Sequence, residues 1–72
     1  MSATTQSVVR AVRLLQIMDL LRHRSYSAAE LARCLHVSQR TVLRDLSVLE
    51  AEPLYLPVVE ESGRVPRYRL LS

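Results

Sequence analysis

The sequence contains no Trp, no Phe and no Lys, and has one Gly and one Cys. Without Trp or Phe a core has to be assembled from Leu, Val, Ile and Ala, with three Tyr in support. A lone Cys excludes a disulfide framework or a Cys-based metal site within one chain, and Cys34 is expected as a buried or half-buried small apolar residue on a helix. His23 and His36 lie far apart and lack a His or acidic ligand at helical spacing, so no metal and no cofactor is expected. No apolar run approaches the roughly 20 residues of a membrane span. Arg10 and Arg13 interrupt the only stretch that could pass for the apolar part of a secretory signal, so the expected location is cytoplasmic. There is no acid pair with a nearby His, no Ser/His/Asp arrangement and no Gly-rich phosphate loop. The expectation is therefore a protein that is not an enzyme.

What is present is arginine. All ten basic residues are Arg, and the net charge is +3. The guanidinium fork is planar and bidentate, which suits phosphate and guanine better than an ammonium does. The charge is also segregated. Arg occurs from Arg10 to Arg44 and again at Arg64, Arg67 and Arg69, whereas Asp45 to Glu61 carries five acids and no base. A molecule with one basic side carries the electrostatic footprint of a nucleic-acid binder. Seventy-two residues make one small domain with little stability margin, for which oligomerisation is a reasonable expectation.

The chain is organised around Ser27 to Leu49. Ser27-Ala-Ala-Glu30 is a capping box, and Leu31, Ala32 and Leu35 follow at helical spacing. The helix should stop around His36-Val37, and Ser38 is suited to cap a second one. Two helices this short are stable only when packed across each other, with small Ala32 letting the backbones approach. At about 100° per residue, Val42, Leu46 and Leu49 cluster on one face of the second helix, while Arg40, Arg44 and Ser47 cluster opposite and Gln39 and Leu43 flank them. Arg pairs bidentately with guanine O6 and N7, and Gln with adenine N6 and N7. A pair of Arg at this spacing also occurs on merely solvated faces. Here they fall in the first two turns after an N-cap, where the second helix of a helix-turn-helix meets base edges.

Around this core the spacing predicts a tail over 1–6, disordered and adding at most a weak contact to a DNA backbone. Ser7 or Thr5 would then cap a helix running to Arg22 or His23. Its main apolar stripe is Ala11, Leu14, Ile17, Met18 and Leu21; a second stripe, Val8, Val12 and Leu15, projects nearly opposite. A helix apolar on two sides meets a partner or is buried all round. A symmetric copy is the simplest partner, making Val8, Val12 and Leu15 a candidate dimer interface; the alternative is cover by the C-terminal strands or Leu54. Tyr26 can pair briefly as a short strand. Pro53 stops the second central helix. Beyond it Leu54 to Glu60 reads as extended and Arg67 to Leu71 alternates, with 61–66 as a loop. Pro57 confines its strand to an edge. The hairpin is a wing, and Arg64 and Arg67 are candidates to meet phosphate or the minor groove.

LAxxLxVSxRTVxRDLxxLE, here Leu31 to Glu50, resembles the N-terminal winged helix-turn-helix of DeoR-type bacterial repressors, especially the version that precedes WYL effector domains. The preceding RLLQIMDLLRHR, the YSAAELA start and the closing YRL also fit, so the resemblance covers about residues 10 to 71. Its most specific part is SQRTVLRDL. The resemblance implies a mainly α fold with a small β-hairpin, three helices plus a two-stranded wing, over residues 7–72. It implies DNA contacts from Ser38, Arg40, Thr41 and Arg44, with Thr41 donating to phosphate and Asp45 holding an Arg in place. Three departures stand out: His36 replaces the usual turn Gly, the wing keeps one Gly, and no effector domain follows. The chain is thus either an excised DNA-binding domain or a small self-contained regulator of the kind phages carry.

The function expected from these readings is a sequence-specific regulator of transcription that binds double-stranded DNA, repressing as a homodimer on an inverted repeat. Gln39, Arg40 and Arg44 would contact bases; Ser38, Thr41, Ser47, Arg64 and Arg67 would contact phosphates. A protein-interaction winged helix, such as a phage product that inhibits a host protein, is the second reading, and an excisionase-like architectural role the third.

Overall fold

The computed structural model describes residues 2–61 and 63–71, with side chains from Val8 onward. Helix α1 spans Ser2–His23, β1 Tyr26–Ser27, α2 Ala28–Leu35, α3 Gln39–Glu50, β2 Val58–Glu61 and β3 Arg67–Leu70. This is a winged helix-turn-helix, with one addition to the expected hairpin: β1 joins it. The three strands lie in the order β1-β3-β2 and are antiparallel, with Tyr26 opposite Tyr68 and Val58 opposite Leu70. The central strand is therefore the last one, and the wing is anchored to the start of α2.

The start of α1 corrects the expected tail. The helix begins at Ser2 rather than at a cap on Thr5 or Ser7. No Pro or Gly stands in 2–6 to interrupt it, and adding residues to an existing helix is cheap compared with nucleating one.

At the centre the local rules hold. The Ser27 hydroxyl accepts from the Glu30 N–H at 3.1 Å, and Glu30 Oε1 accepts from the Ser27 N–H at 2.9 Å. Helix α2 ends with His36 in the left-handed region, at φ 56° and ψ 45°. There the carbonyl of Ala32 accepts from the N–H groups of both His36 and Val37. The last carbonyls of a helix are the groups short of donors, and this closure gives that of Ala32 two. A β-carbon in this region costs energy, but His is among the residues that tolerate it. Ala32 itself is buried against the crossing helix, as its size suggested.

The core is aliphatic: Ile17 and Leu21 from α1, Leu31 and Ala32 from α2, Val42, Leu46 and Leu49 from α3, with Tyr26 and Leu70 from the sheet. After α3 the extended run expected over Leu54–Glu60 shortens to Val58–Glu61. Instead the N–H groups of Leu54 and Tyr55 both close on the Ala51 carbonyl, and that of Leu56 reaches Leu49. The carbonyls at the end of α3 need donors, and the following segment curls back to supply them. Tyr55 takes a left-handed conformation to do so, at φ 44°. Strand β2 is at an edge, as Pro57 requires, and the Pro57 carbonyl accepts from the Leu71 N–H at 3.0 Å.

Candidate nucleic-acid interface

Helix α3 has two unlike sides. Val42, Asp45, Leu46 and Leu49 are buried, while Gln39, Arg40, Leu43, Arg44 and Ser47 are exposed. The sequence dictates this, because the buried set repeats at three and four residues and the exposed polar set occupies the remaining arc. Ser38 caps the helix: its hydroxyl oxygen accepts from the Thr41 N–H at 3.1 Å and its O–H donates to Thr41 Oγ1 at 3.0 Å. The Thr41 hydroxyl proton is thereby directed away from Ser38. Ser47 donates back to the Leu43 carbonyl at 3.1 Å, which turns its oxygen outward. Gln39, Arg40, Arg44 and Ser47 thus share one exposed surface with the α3 N-terminus.

The two wing arginines differ. Arg64 is exposed in the loop between β2 and β3, and no acid among the described residues pairs with it. Arg67 is drawn inward instead. Its Nε donates to Ser25 Oγ at 3.1 Å, and its Nη2 donates to the Ser25 carbonyl and to Glu30 Oε1, each at 2.9 Å. Arg67 lies opposite Ser27 on the paired strand, so the register itself delivers it to the capping box. The contact with phosphate or the minor groove expected of Arg67 at the base of the wing would have to be made alongside this engagement or in exchange for it. Arg24 beside it stacks over the Tyr26 ring, 4.1 Å from its centroid.

The arginine that Asp45 holds comes from α1. Asp45 is 1 % exposed, and its carboxylate takes Arg13 through both Nε and Nη2, the latter at 3.3 Å, and Arg10 through Nε at 3.5 Å. Hydrogen bonding to Asp45, more than its charge, raises the Arg13 pKa, against the opposing effect of burial. In the sequence Arg10 and Arg13 stand out only as part of the basic side of the chain. The available signal was angular: Arg13 lies about 40° from core residue Ile17, and Asp45 shares the Val42–Leu49 side of α3.

Val8, Val12 and Leu15 remain 58, 50 and 64 % exposed, and neither Leu54 nor the wing covers them. Val9 is exposed beside them. Cys34, expected to be at least half-buried, is exposed; it follows Arg33 on the outer side of α2, away from Leu31 and Ala32. Among the described residues no three His, Cys, Asp or Glu side chains converge as a metal site would require. No described helix is long and apolar enough to cross a membrane.

A family model described as an HTH domain matches residues 13–69. Among solved structures, reduced HlyU from Vibrio cholerae N16961 is similar, with a TM-score of 0.68 and 23 % identity over 100 % of this chain and 83 % of that one. Identity that low speaks to the fold alone. No curated protein matches the sequence.

Proposed function

Because the chain belongs to the HTH domain family, as a winged helix-turn-helix of the DNA-binding kind, we propose that it is a sequence-specific transcription regulator reading double-stranded DNA through α3. The observation that carries this is the exposed row of Gln39, Arg40 and Arg44 directly after the Ser38 cap, with Val42, Leu46 and Leu49 turned inward on the opposite side of α3. Binding to a protein partner alone gives no reason for two guanidiniums and an amide there. Arg40 and Arg44 read guanine edges in the major groove and Gln39 an adjacent adenine. Thr41 keeps a hydroxyl proton for a flanking phosphate, Ser38 and Ser47 reach phosphates by exchanging their bonds to Thr41 and to the Leu43 carbonyl, and Arg64 reaches the backbone or minor groove from the wing.

The working form is a homodimer. The stripe Val8, Val12 and Leu15 is an apolar face without cover in one chain, and a two-fold copy buries it against itself. Two α3 helices then meet successive major grooves about 34 Å apart, so the operator is an inverted repeat. Occlusion of a promoter is the simplest consequence of binding an operator in this way, which makes repression the expected effect, in the cytoplasm. The motif spanning α2 and α3 resembles that of the DeoR-type repressors, which supports the same reading. The same exposed stripe is what a protein-interaction winged helix would present to a host partner, and the experiment separates the two.

That experiment is selection from random duplex DNA followed by fluorescence anisotropy with the full chain. The expected result is an enriched inverted repeat whose recognition disappears in the Arg40→Ala/Arg44→Ala variant. Weak binding without an enriched sequence would reject base reading and favour the protein partner. Val12→Glu should leave a folded monomer in sedimentation; an unchanged dimer would move the interface elsewhere.

A further inference from the structure

A groove of about 610 Å³ runs between α1 and α3, with Arg10 and Arg13 on one wall, Thr41 and Arg44 on the other and Asp45 at its floor. Three guanidiniums face one carboxylate there, so two positive charges are left uncompensated. The three arginines are not equivalent. Arg13 is 18 % exposed and grips Asp45 through two nitrogens. Arg10 is 46 % exposed and touches it through Nε alone at 3.5 Å. Among the described residues nothing engages the Arg10 Nη atoms. An exposed contact that long contributes little to stability, whereas a guanidinium whose Nη atoms no described residue engages, standing above a groove, is suited to clasp an oxyanion. Opposite stands Thr41, whose hydroxyl accepts from Ser38 and keeps its own proton to donate.

We propose that this groove takes one backbone phosphodiester of the duplex read by α3, clasped between Arg10 and Thr41. The inference rests on the DNA-reading role of α3 and extends its footprint to α1. Arg44 borders both the groove and the outward face of α3, so the strand whose bases meet α3 passes directly beside the groove. Asp45 is the positioning residue: by neutralising Arg13 it fixes α1 against α3 and leaves Arg10 as the hand that closes on phosphate. Such a contact fixes register without carrying sequence information.

The test is the salt dependence of duplex binding by the full chain, on a selected and on a scrambled duplex. Arg10→Ala should flatten the plot of log affinity against log salt by about 0.9, one phosphate contact, equally on both duplexes and with base preference unchanged. Arg22, exposed on the same helix but about 18 Å further along its axis, is the control, and Arg22→Ala should leave the slope intact. A full slope in Arg10→Ala, or equal losses in both variants, overturns the phosphate clasp while leaving the reading by α3 in place. Absence of any salt-dependent binding by the unmodified chain overturns both together. If Arg10→Ala does not fold, Arg10→Gln keeps the stem and a donor toward Asp45, and the same loss of slope is expected.

Discussion

Two carboxylates in this protein each fasten an arginine from a distant part of the chain, and they do so in opposite surroundings. Asp45 on α3 is 1 % exposed and holds Arg13 and Arg10 from α1. Glu30 on α2 is 29 % exposed and holds Arg67 from β3. The first pair ties together the helix proposed to face DNA and the helix that carries the candidate dimer stripe. The second ties the wing to the capping box of α2. Charge taken out of water must be paired to be tolerated, so Asp45 depends on its partners far more than Glu30 does. What differs is the cost of breaking each pair, and that ranks the experiments.

The largest effect is expected from Arg13→Ala. It leaves a buried carboxylate with only the long Arg10 contact. Breaking a buried pair by removing one partner costs about 3–5 kcal/mol; because Arg10 can move closer, the lower end, about 3 kcal/mol, applies. In a domain this small that lowers the midpoint of thermal unfolding by roughly 15 °C, which circular dichroism measures directly. A loss no greater than that from a solvated arginine such as Arg22→Ala would mean that Asp45 contributes nothing as a lock.

Both pairs were only partly legible in the sequence, for related reasons. The helices, their caps and the inward face of α3 follow from rules acting over three or four residues, and SAAELA and SQRTV state them openly. So does His36, whose place between Leu35 and Val37 forces a left-handed residue whether or not Gly supplies it. The wing was legible from Arg67-Tyr68-Arg69-Leu70, yet the third strand was only hinted at by Tyr26. Arg67 looked free because its partners, Ser25 and Glu30, are some 40 residues away, and alternation says which face it takes but nothing about what waits there. Asp45 was expected to hold an arginine, but which one depends on how α1 crosses α3. The turn after Glu50 was misread as strand because β-branched Val58 and Val59 lie just beyond it, while the carbonyls at the end of α3 claimed Leu54, Tyr55 and Leu56 first.

A smaller effect sharpens the comparison on the Glu30 side. Ser27→Ala removes the hydroxyl that accepts from the Glu30 N–H and should cost about 1 kcal/mol, the usual worth of an N-cap. The Arg67–Glu30 contact is left in place by this change, so chemical denaturation of Ser27→Ala isolates the cap from the ion pair. Ser38→Ala offers the matching cut on α3, where the cap at 3.1 Å has no reciprocal carboxylate. A cost for Ser27→Ala well above that for Ser38→Ala would show the two halves of the capping box acting together.

The smallest effect is a pH dependence. The Ser27 backbone N–H, followed by the positive charges of Arg67 and Arg24, holds the Glu30 carboxyl below its ordinary pKa, and partial desolvation opposes this only in part. A group whose pKa is lower in the folded chain binds its proton more readily when unfolded. Its contribution is therefore complete above the ordinary glutamate range and is lost as pH falls through the folded value. Thermal unfolding of the unmodified protein should accordingly show a midpoint that declines on acidification across that window, and Glu30→Gln should lose part of the decline while starting from a lower midpoint at neutral pH. The contribution is modest because the carboxyl is solvated and screened. Identical pH profiles for the two proteins would mean that the wing is held to α2 by the Ser25 contacts of Arg67 and by strand pairing, and that Glu30 serves the cap alone.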